Sequence, residues 1–348
     1  MEYKYGTLFR EVLESSDKWR NCDDIPAGYY VILSDKNSIS LFQSYLEGEI
    51  HIALKHSLAK TLSKKSYIPY TMSIIHGKVY RPDTSSANDC VRSIWFLKPS
   101  NRFVGEGKDI KLLKSMDEFD INDPHLKKYT HWVLQEEVYP PMLFNSHKFV
   151  IRFFSFHVYT PNILFVYSGS KCRFNIYAQE YKDVNDVAEL SQISHNNLNL
   201  TSGVMTRVGS VEGLHTLSGE YVEDSKHLMN DIAIPQILEI IHDITELMVD
   251  KYYDSMGCYG YSIHGYDFML REDGKVFLIE VNEHPYLNFE PESLKQEISI
   301  PMFHDFVDAF CCLVKGKEPK PKTLNFVGKY KIPVRKVATP LEGKKLCI

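Results

Sequence analysis

The segment 266–281 leaves the chain little freedom. Tyr266-Asp267-Phe268-Met269-Leu270 and Val276-Phe277-Leu278-Ile279-Glu280-Val281 are apolar runs of strand length, joined by Arg271-Glu272-Asp273-Gly274. An Asp-Gly pair between two such runs favours a tight reversal, so the pattern predicts a β-hairpin. Residues two apart on a strand point to the same face, which aims Glu280 and Asn282 together and sets Asp267 on the partner strand. An acid inside an apolar run is expected to be buried and to need a partner. A hard dication such as Mg²⁺ takes oxygens from one or two carboxylates and completes its shell with water and phosphate. Asp267, Glu280 and Asn282 are therefore a candidate metal set. The competing reading, a surface hairpin with solvated acids, fits the apolar surroundings of Glu280 less well.

A second strand carries the opposite charge. In Lys148-Phe149-Val150-Ile151-Arg152-Phe153, alternation places Lys148 and Arg152 on one face and Phe149, Ile151 and Phe153 on the other. At roughly 3.3 Å per residue the two cations stand about 13 Å apart, enough to touch different parts of one nucleotide triphosphate. Taken alone, a basic strand face is more often simply solvated; beside a candidate magnesium set it gains a purpose. Lys98 closes a third apolar strand, Ser93–Pro99, just before a polar turn that contains Gly105-Glu106-Gly107. A lysine there reaches phosphate oxygens while glycines let the backbone close over them. The turn matches neither the P-loop nor the kinase glycine loop.

Composition sets the wider limits. Among 348 residues, 44% are hydrophobic and 24% charged, the balance of an ordinary globular protein long enough for two or three packed lobes. Seven cysteines, an odd number without CxxC spacing, suit a reducing compartment, and the charged amino terminus lacks the apolar stretch of a signal peptide. No apolar run approaches membrane-spanning length. A cytosolic or nuclear location is expected.

Lobes are expected at 1–65 (α/β, with a strand at Tyr29–Leu33 and a helical stretch at Leu41–Leu62), 66–133 and 134–314. From about 134 onward the chain should hold strands at Val133–Val138 and Lys148–Val158, a further strand pair around Ile163–Ile176, and an amphipathic helix from Ile234 to Met256. Residues 315–348 read as a basic tail. Lys315 to Lys345 hold ten Lys/Arg against two Glu, a local charge of +8; the whole chain carries -5, so the remainder carries -13. Such a tail suits an acidic protein partner, or is a solvated terminus. The acidic remainder and Pro319, Pro321 and Pro333 argue against nucleic acid.

Four blocks in order carry a family resemblance from about Tyr67 to Phe310. They are Trp95-Phe96-Leu97-Lys98-Pro99-Ser100, Val133-Leu134-Gln135-Glu136-Glu137-Val138, Lys148-Phe149-Val150-Ile151-Arg152, and Gly265-Tyr266-Asp267-Phe268-Met269-Leu270 with Leu278-Ile279-Glu280-Val281-Asn282-Glu283-His284-Pro285. Tyr67-Ile68-Pro69-Tyr70-Thr71 resembles the short proline segment that precedes them. Together they resemble the tubulin–tyrosine ligase-like family. The resemblance implies an α/β ATP-grasp fold and an ATP- and Mg²⁺-dependent carboxylate–amine ligase. Such an enzyme adds a free amino acid (tyrosine, glutamate or glycine) to a protein acceptor with an acidic tail, tubulin first among them, in a cytoplasmic and cytoskeleton-associated setting. It further implies that Lys98 and Lys148 contact phosphate and nucleotide. Gln135, Glu136, Glu137 and Val138 would form the adenine hinge, Arg152, Arg173 and Glu280 would act on the transferring phosphoryl group, and Asp267, Glu280 and Asn282 would hold magnesium. The chain departs from the family pattern in three places. Val150 stands where the family's KFDIR-type strand has Asp, the glycine turn is spaced differently, and His195-Asn196-Asn197-Leu198 only echoes the family's His-Leu-Thr-Asn. A non-catalytic member that binds an acidic partner is the alternative these departures favour.

Overall fold

The computed structural model describes residues 29–35, 38–43, 46, 48–82, 94–101, 109–160, 162–181, 207–208, 213–252, 259–283, 285 and 292–333. Their strands form two sheets. The smaller has the order β4 (Lys78–Tyr80), β3 (Thr71–Ile75), β7 (His131–Glu136), β5 (Trp95–Pro99) and β6 (Lys111–Leu113). The larger follows the path β1 (Tyr29–Asp35), β2 (Ser38–Gln43), β14 (Tyr259–Leu270), β9 (His147–Thr160), β10 (Ile163–Gly169) and β16 (Leu324–Lys331). Beside that path, β15 (Val276–Asn282) pairs with β14, while β11 (Arg173–Glu180) and β8 (Leu143–Phe144) pair with β9. β12 (Arg207–Val208) and β13 (Leu214–His215) extend the sheet through β11 and β8. The mixed α/β architecture with large antiparallel sheets is that of an ATP-grasp-like protein.

Alternation along β9 organises the layers. Phe149, Ile151, Phe153 and Tyr159 enter the core beneath helix α2 (Ile234–Met248), with Ile237, Ile241, Ile244 and Met248 facing them. On the opposite face Phe154, Phe156 and Val158 pack under helix α3 (Ile300–Val314) through Phe303, Phe306 and Phe310. α3 thus covers the second half of that face. The first half, with Lys148 and Arg152, is left to another neighbour. Helix α1 (Lys55–Thr61) stands against β3 and β7 of the small sheet and β15 of the large one, so it bridges the two.

Three segments differ from the sequence reading. The helical stretch expected from Leu41 begins later: Leu41–Gln43 complete β2, paired with β1, and sheet pairing overrides local propensity there. Gly48 (φ +95°) breaks the run further, since a Cβ at this position would lie 2.2 Å from the Lys251 carbonyl oxygen. The amphipathic helix expected to reach Met256 closes at Met248, and residues 253–258 lie outside the described residues. Residues 324–331, expected inside a basic tail, form β16 instead. The strand pairs with β10 along its length, and Leu324 and Ile332 are buried in separate cores. Asp305 of α3 accepts from the backbone N–H of Lys322 (2.6 Å) and from the Thr323 hydroxyl (2.8 Å), fixing the strand's start. Among the described residues, no helix is long and apolar enough to cross a membrane.

Candidate functional site

Strand register brings four charged residues into one row. Arg173 on β11 lies opposite Arg152 on β9, Arg152 lies opposite Asp267 on β14, and Asp267 lies opposite Glu280 on β15. Neighbouring strands are about 4.8 Å apart, so two cations and two acids cross four strands side by side. Arg152 grips Asp267 in a two-pronged contact, with Nη2 donating to Oδ2 at 2.6 Å and Nε to Oδ1. Asn282, two residues beyond Glu280, places its amide 3.3 Å from both Asp267 Oδ2 and Glu280 Oε1. A bulge makes Ile279 the extra residue between Glu280 and Leu278, so Leu278 stays in the core while Glu280 is only partly buried.

The small sheet supplies the facing wall. Lys98 Nζ donates to Gln135 Oε1 at 2.7 Å, and Gln135 Nε2 donates to the Thr71 hydroxyl at 3.2 Å. Lys98 and Lys148 both stand over the Phe96 ring, at 5.0 and 5.7 Å, and Lys148 lies 4.9 Å from the Tyr181 ring. Lys148 is ion-paired to Glu137, and both side chains are almost fully buried. Backbone N–H groups of Glu136 and Glu137 donate to the Tyr70 (2.9 Å) and Ile94 (2.8 Å) carbonyls, so neither N–H is offered to a base. At the end of this segment, Val138, Val150, Tyr177, Met269 and Phe277 form a small apolar cluster of their own. Val150 therefore replaces the family's carboxylate with one more apolar wall.

Electrostatics follow from this crowding. Burial pushes the Lys98 ammonium down to about 8; the charges of Lys55 and Lys148 push the same way, against Glu280 and Asp267. Burial also lowers Lys148, with Glu137 opposing. At Glu280 the neighbouring charges outweigh burial. Burial would raise it, but Lys55, Lys98 and Arg152 together hold the carboxyl well below the usual range. It is a carboxylate at any physiological pH.

Lys55 was not singled out from the sequence. It opens α1, and its Nζ lies 2.8 Å from Glu280 Oε2, so α1 delivers a cation to the end of the row. A lysine at the start of a short amphipathic helix reads as a solvated residue, and only the packing of α1 against β15 reveals it. Phe96 and Tyr181, the rings against the two lysines, were equally unmarked.

The donor set suits a hard dication. Asp267 and Glu280 offer carboxylate oxygens that converge on the Asn282 side-chain amide, whose Nδ2 donates to both; turned about its terminal bond, the amide would present Oδ1 as a third oxygen, and the surrounding cations suit phosphate at the remaining positions. Among the described residues, no group of three or more His, Cys, Asp or Glu is arranged to hold a metal by itself. An ion here would therefore share its shell with a substrate. The glycine turn at 102–108 and the segment at 195–198 lie outside the described residues.

The Tubulin-tyrosine ligase family matches residues 51–321, a span holding every residue of the row and of the facing wall. The chain belongs to the tubulin–tyrosine ligase family. Two relatives are glycylases by name. Tubulin glycylase 3B of Tetrahymena thermophila is 23% identical over 217 residues, 60% of this chain and 17% of that protein. Protein monoglycylase TTLL8 of Mus musculus is 22% identical over 243 residues, 68% of this chain and 29% of that protein. The chain thus spans less than a third of either relative's length.

Proposed function

We propose that the protein is an ATP-dependent carboxylate–amine ligase that adds an amino acid, glycine first among the candidates, to an acidic protein acceptor such as tubulin. The observation that carries this reading is the row Arg173–Arg152–Asp267–Glu280, closed by Asn282, flanked by Lys148 and faced by Lys98. Glycine is placed first because both relatives are named for glycylation.

The chemistry asks for positioning and charge rather than for a protein nucleophile. An acceptor carboxylate oxygen forms a bond to the γ-phosphorus of ATP, and the bond to the bridging oxygen breaks, releasing ADP. The amino nitrogen of the incoming amino acid then attacks the acyl carbon of the acylphosphate. Phosphate leaves with the bonding pair, and the nitrogen sheds a proton as the amide forms. Negative charge on phosphoryl oxygens must be held throughout, and fixed cations in a preorganised site do this without reorganising. Arg152 is oriented by its two-pronged grip on Asp267, while Arg173 and Lys98 border the same space. Magnesium held by Asp267, Glu280 and Asn282 would supply further charge neutralisation on the phosphate oxygens. Gln135 through Val138 and the apolar cluster around Val150 would receive the base. A non-catalytic, partner-binding protein is the second reading, favoured by Val150.

Incubation with ATP, Mg²⁺, tubulin and glycine, glutamate or tyrosine in parallel, followed by mass spectrometry of the tubulin tails, tests the reading. A mass increment of one amino acid that requires ATP supports it. Unmodified tails with all three amino acids refute it.

A further inference from the structure

We propose that the outer edge of β16 is a docking strand for an acidic, extended peptide. β16 ends the path of the large sheet: β10 pairs with one side, and among the described residues no strand pairs with the other. An open edge offers backbone donors and acceptors to an added strand. This edge is firmly mounted. Asp305 holds its start, and at its end the Ile332 N–H donates to the Asn162 carbonyl at 3.0 Å.

A bulge shapes the face presented there. Val327 is the extra residue between the pairs Gly328–Val166 and Phe326–Tyr167. Residues 326 and 329 would otherwise point to opposite faces; the bulge puts them on the same one. Phe326 lies against Tyr167 with ring centroids 5.6 Å apart, and Lys329 Nζ lies 5.3 Å over the Phe165 ring. Phe326 remains 61% exposed, an apolar side chain in water beside exposed Lys329 and Lys331. Lys315, Lys317, Lys320 and Lys322 on the approach to the strand are exposed too, against the single acid Glu318.

Charge selects the occupant. Lysines on an edge strand repel a second copy of the same strand, which is their ordinary role. The same charges attract an acidic strand, whereas the rest of the chain carries a net negative charge that does not. One exposed aromatic fits a peptide that carries an apolar residue among its acids, whereas a single-stranded nucleic acid would want a series of stacking rings. The inference rests on edge geometry and charge and does not require the ligase reading, so it is measured without ATP.

The probe is a fluorescein-labelled 12-residue Glu-rich peptide with one central Tyr, followed by anisotropy with the full chain. Lys329→Glu with Lys331→Glu should weaken binding at least tenfold with only a small drop in melting temperature, since both side chains are exposed and the contact of Lys329 with the Phe165 ring is lost. N-methylation of alternate peptide amides, which keeps charge but removes backbone donors, should weaken it comparably. Absence of wild-type binding, indifference to the charge reversal or to N-methylation, or tighter binding of a 12-nucleotide oligo-dT would each overturn the proposal.

Discussion

Replacing Glu137 by Leu would leave Lys148 with its ammonium almost fully buried and without its carboxylate, while keeping the volume of the side chain close to the original. Breaking a buried ion pair from one side costs about 3–5 kcal/mol. Here the cost has a ceiling, because the lysine can shed its proton. Moving from the usual 10.5 to pH 7 spans 3.5 pH units, which at about 1.36 kcal/mol each sets the ceiling near 5 kcal/mol. Cation–π contact with Phe96 and Tyr181 would hold part of the charge, at about 0.5–2 kcal/mol each, so a loss of about 3 kcal/mol at pH 7 is expected. The sign with pH follows from proton counting. In the variant the unfolded lysine binds a proton that the folded one has lost, so stability rises with pH up to 10.5. The deficit relative to wild type should therefore shrink as pH rises from 7 to 9, by as much as about 1.4 kcal/mol per unit once the folded lysine is neutral. Urea denaturation of wild type, Glu137→Leu and the double variant Glu137→Leu/Lys148→Met at pH 7, 8 and 9 measures this. The double variant should recover most of the stability. A deficit below 1 kcal/mol, or one that does not change with pH, would refute the buried-pair argument.

Three further outcomes are expected. ATP affinity should fall above pH 8 by up to about tenfold per unit as Lys98 loses its proton, and Lys98→Arg should flatten that profile in calorimetric titrations. His157 is fully buried, its ring centroid 4.3 Å from that of His264, and burial and that neighbour hold it well below 6.5. The unfolded histidine gains a proton that the folded one refuses, so stability should fall as pH drops below 6.5, by up to about 1.4 kcal/mol per unit, and His157→Phe should lessen that slope in thermal melts. A Cβ on Gly265 would lie 2.6 Å from Pro285 Cβ and 3.3 Å from Arg152 Cδ, so Gly265→Ala should cost about 1–3 kcal/mol and weaken ATP binding; an unchanged melting temperature would contradict it.

The chemistry of the site was more legible in the sequence than its assembly. The hairpin, the faces of β9 and the Lys98 strand follow from alternation and the Asp-Gly turn, which are local. That Arg173, Arg152, Asp267 and Glu280 stand in one row depends on the register of four strands, and above all on that of β9 against β14, where Arg152 and Asp267 are 115 residues apart in the chain. The Ile279 bulge also alters which residues beside Glu280 face inward, and a two-residue period cannot show that. β16 was hidden for a related reason. Its own bulge at Val327 interrupts the alternation, and the dense lysines around it imitate a solvated tail. Lys55 reaches Glu280 only because α1 bridges both sheets.

The proposed reaction activates a carboxylate of the acceptor with the γ-phosphoryl group of ATP. Acceptor peptide with ¹⁸O-labelled carboxylates, incubated with ATP, Mg²⁺ and glycine, tests it most directly by mass analysis of the released phosphate. One ¹⁸O in phosphate is expected for each amide formed with wild type, and none with Glu280→Gln, whose fold should remain intact. Unlabelled phosphate accompanying amide formation, release of AMP in place of ADP, or full turnover by Glu280→Gln would contradict it.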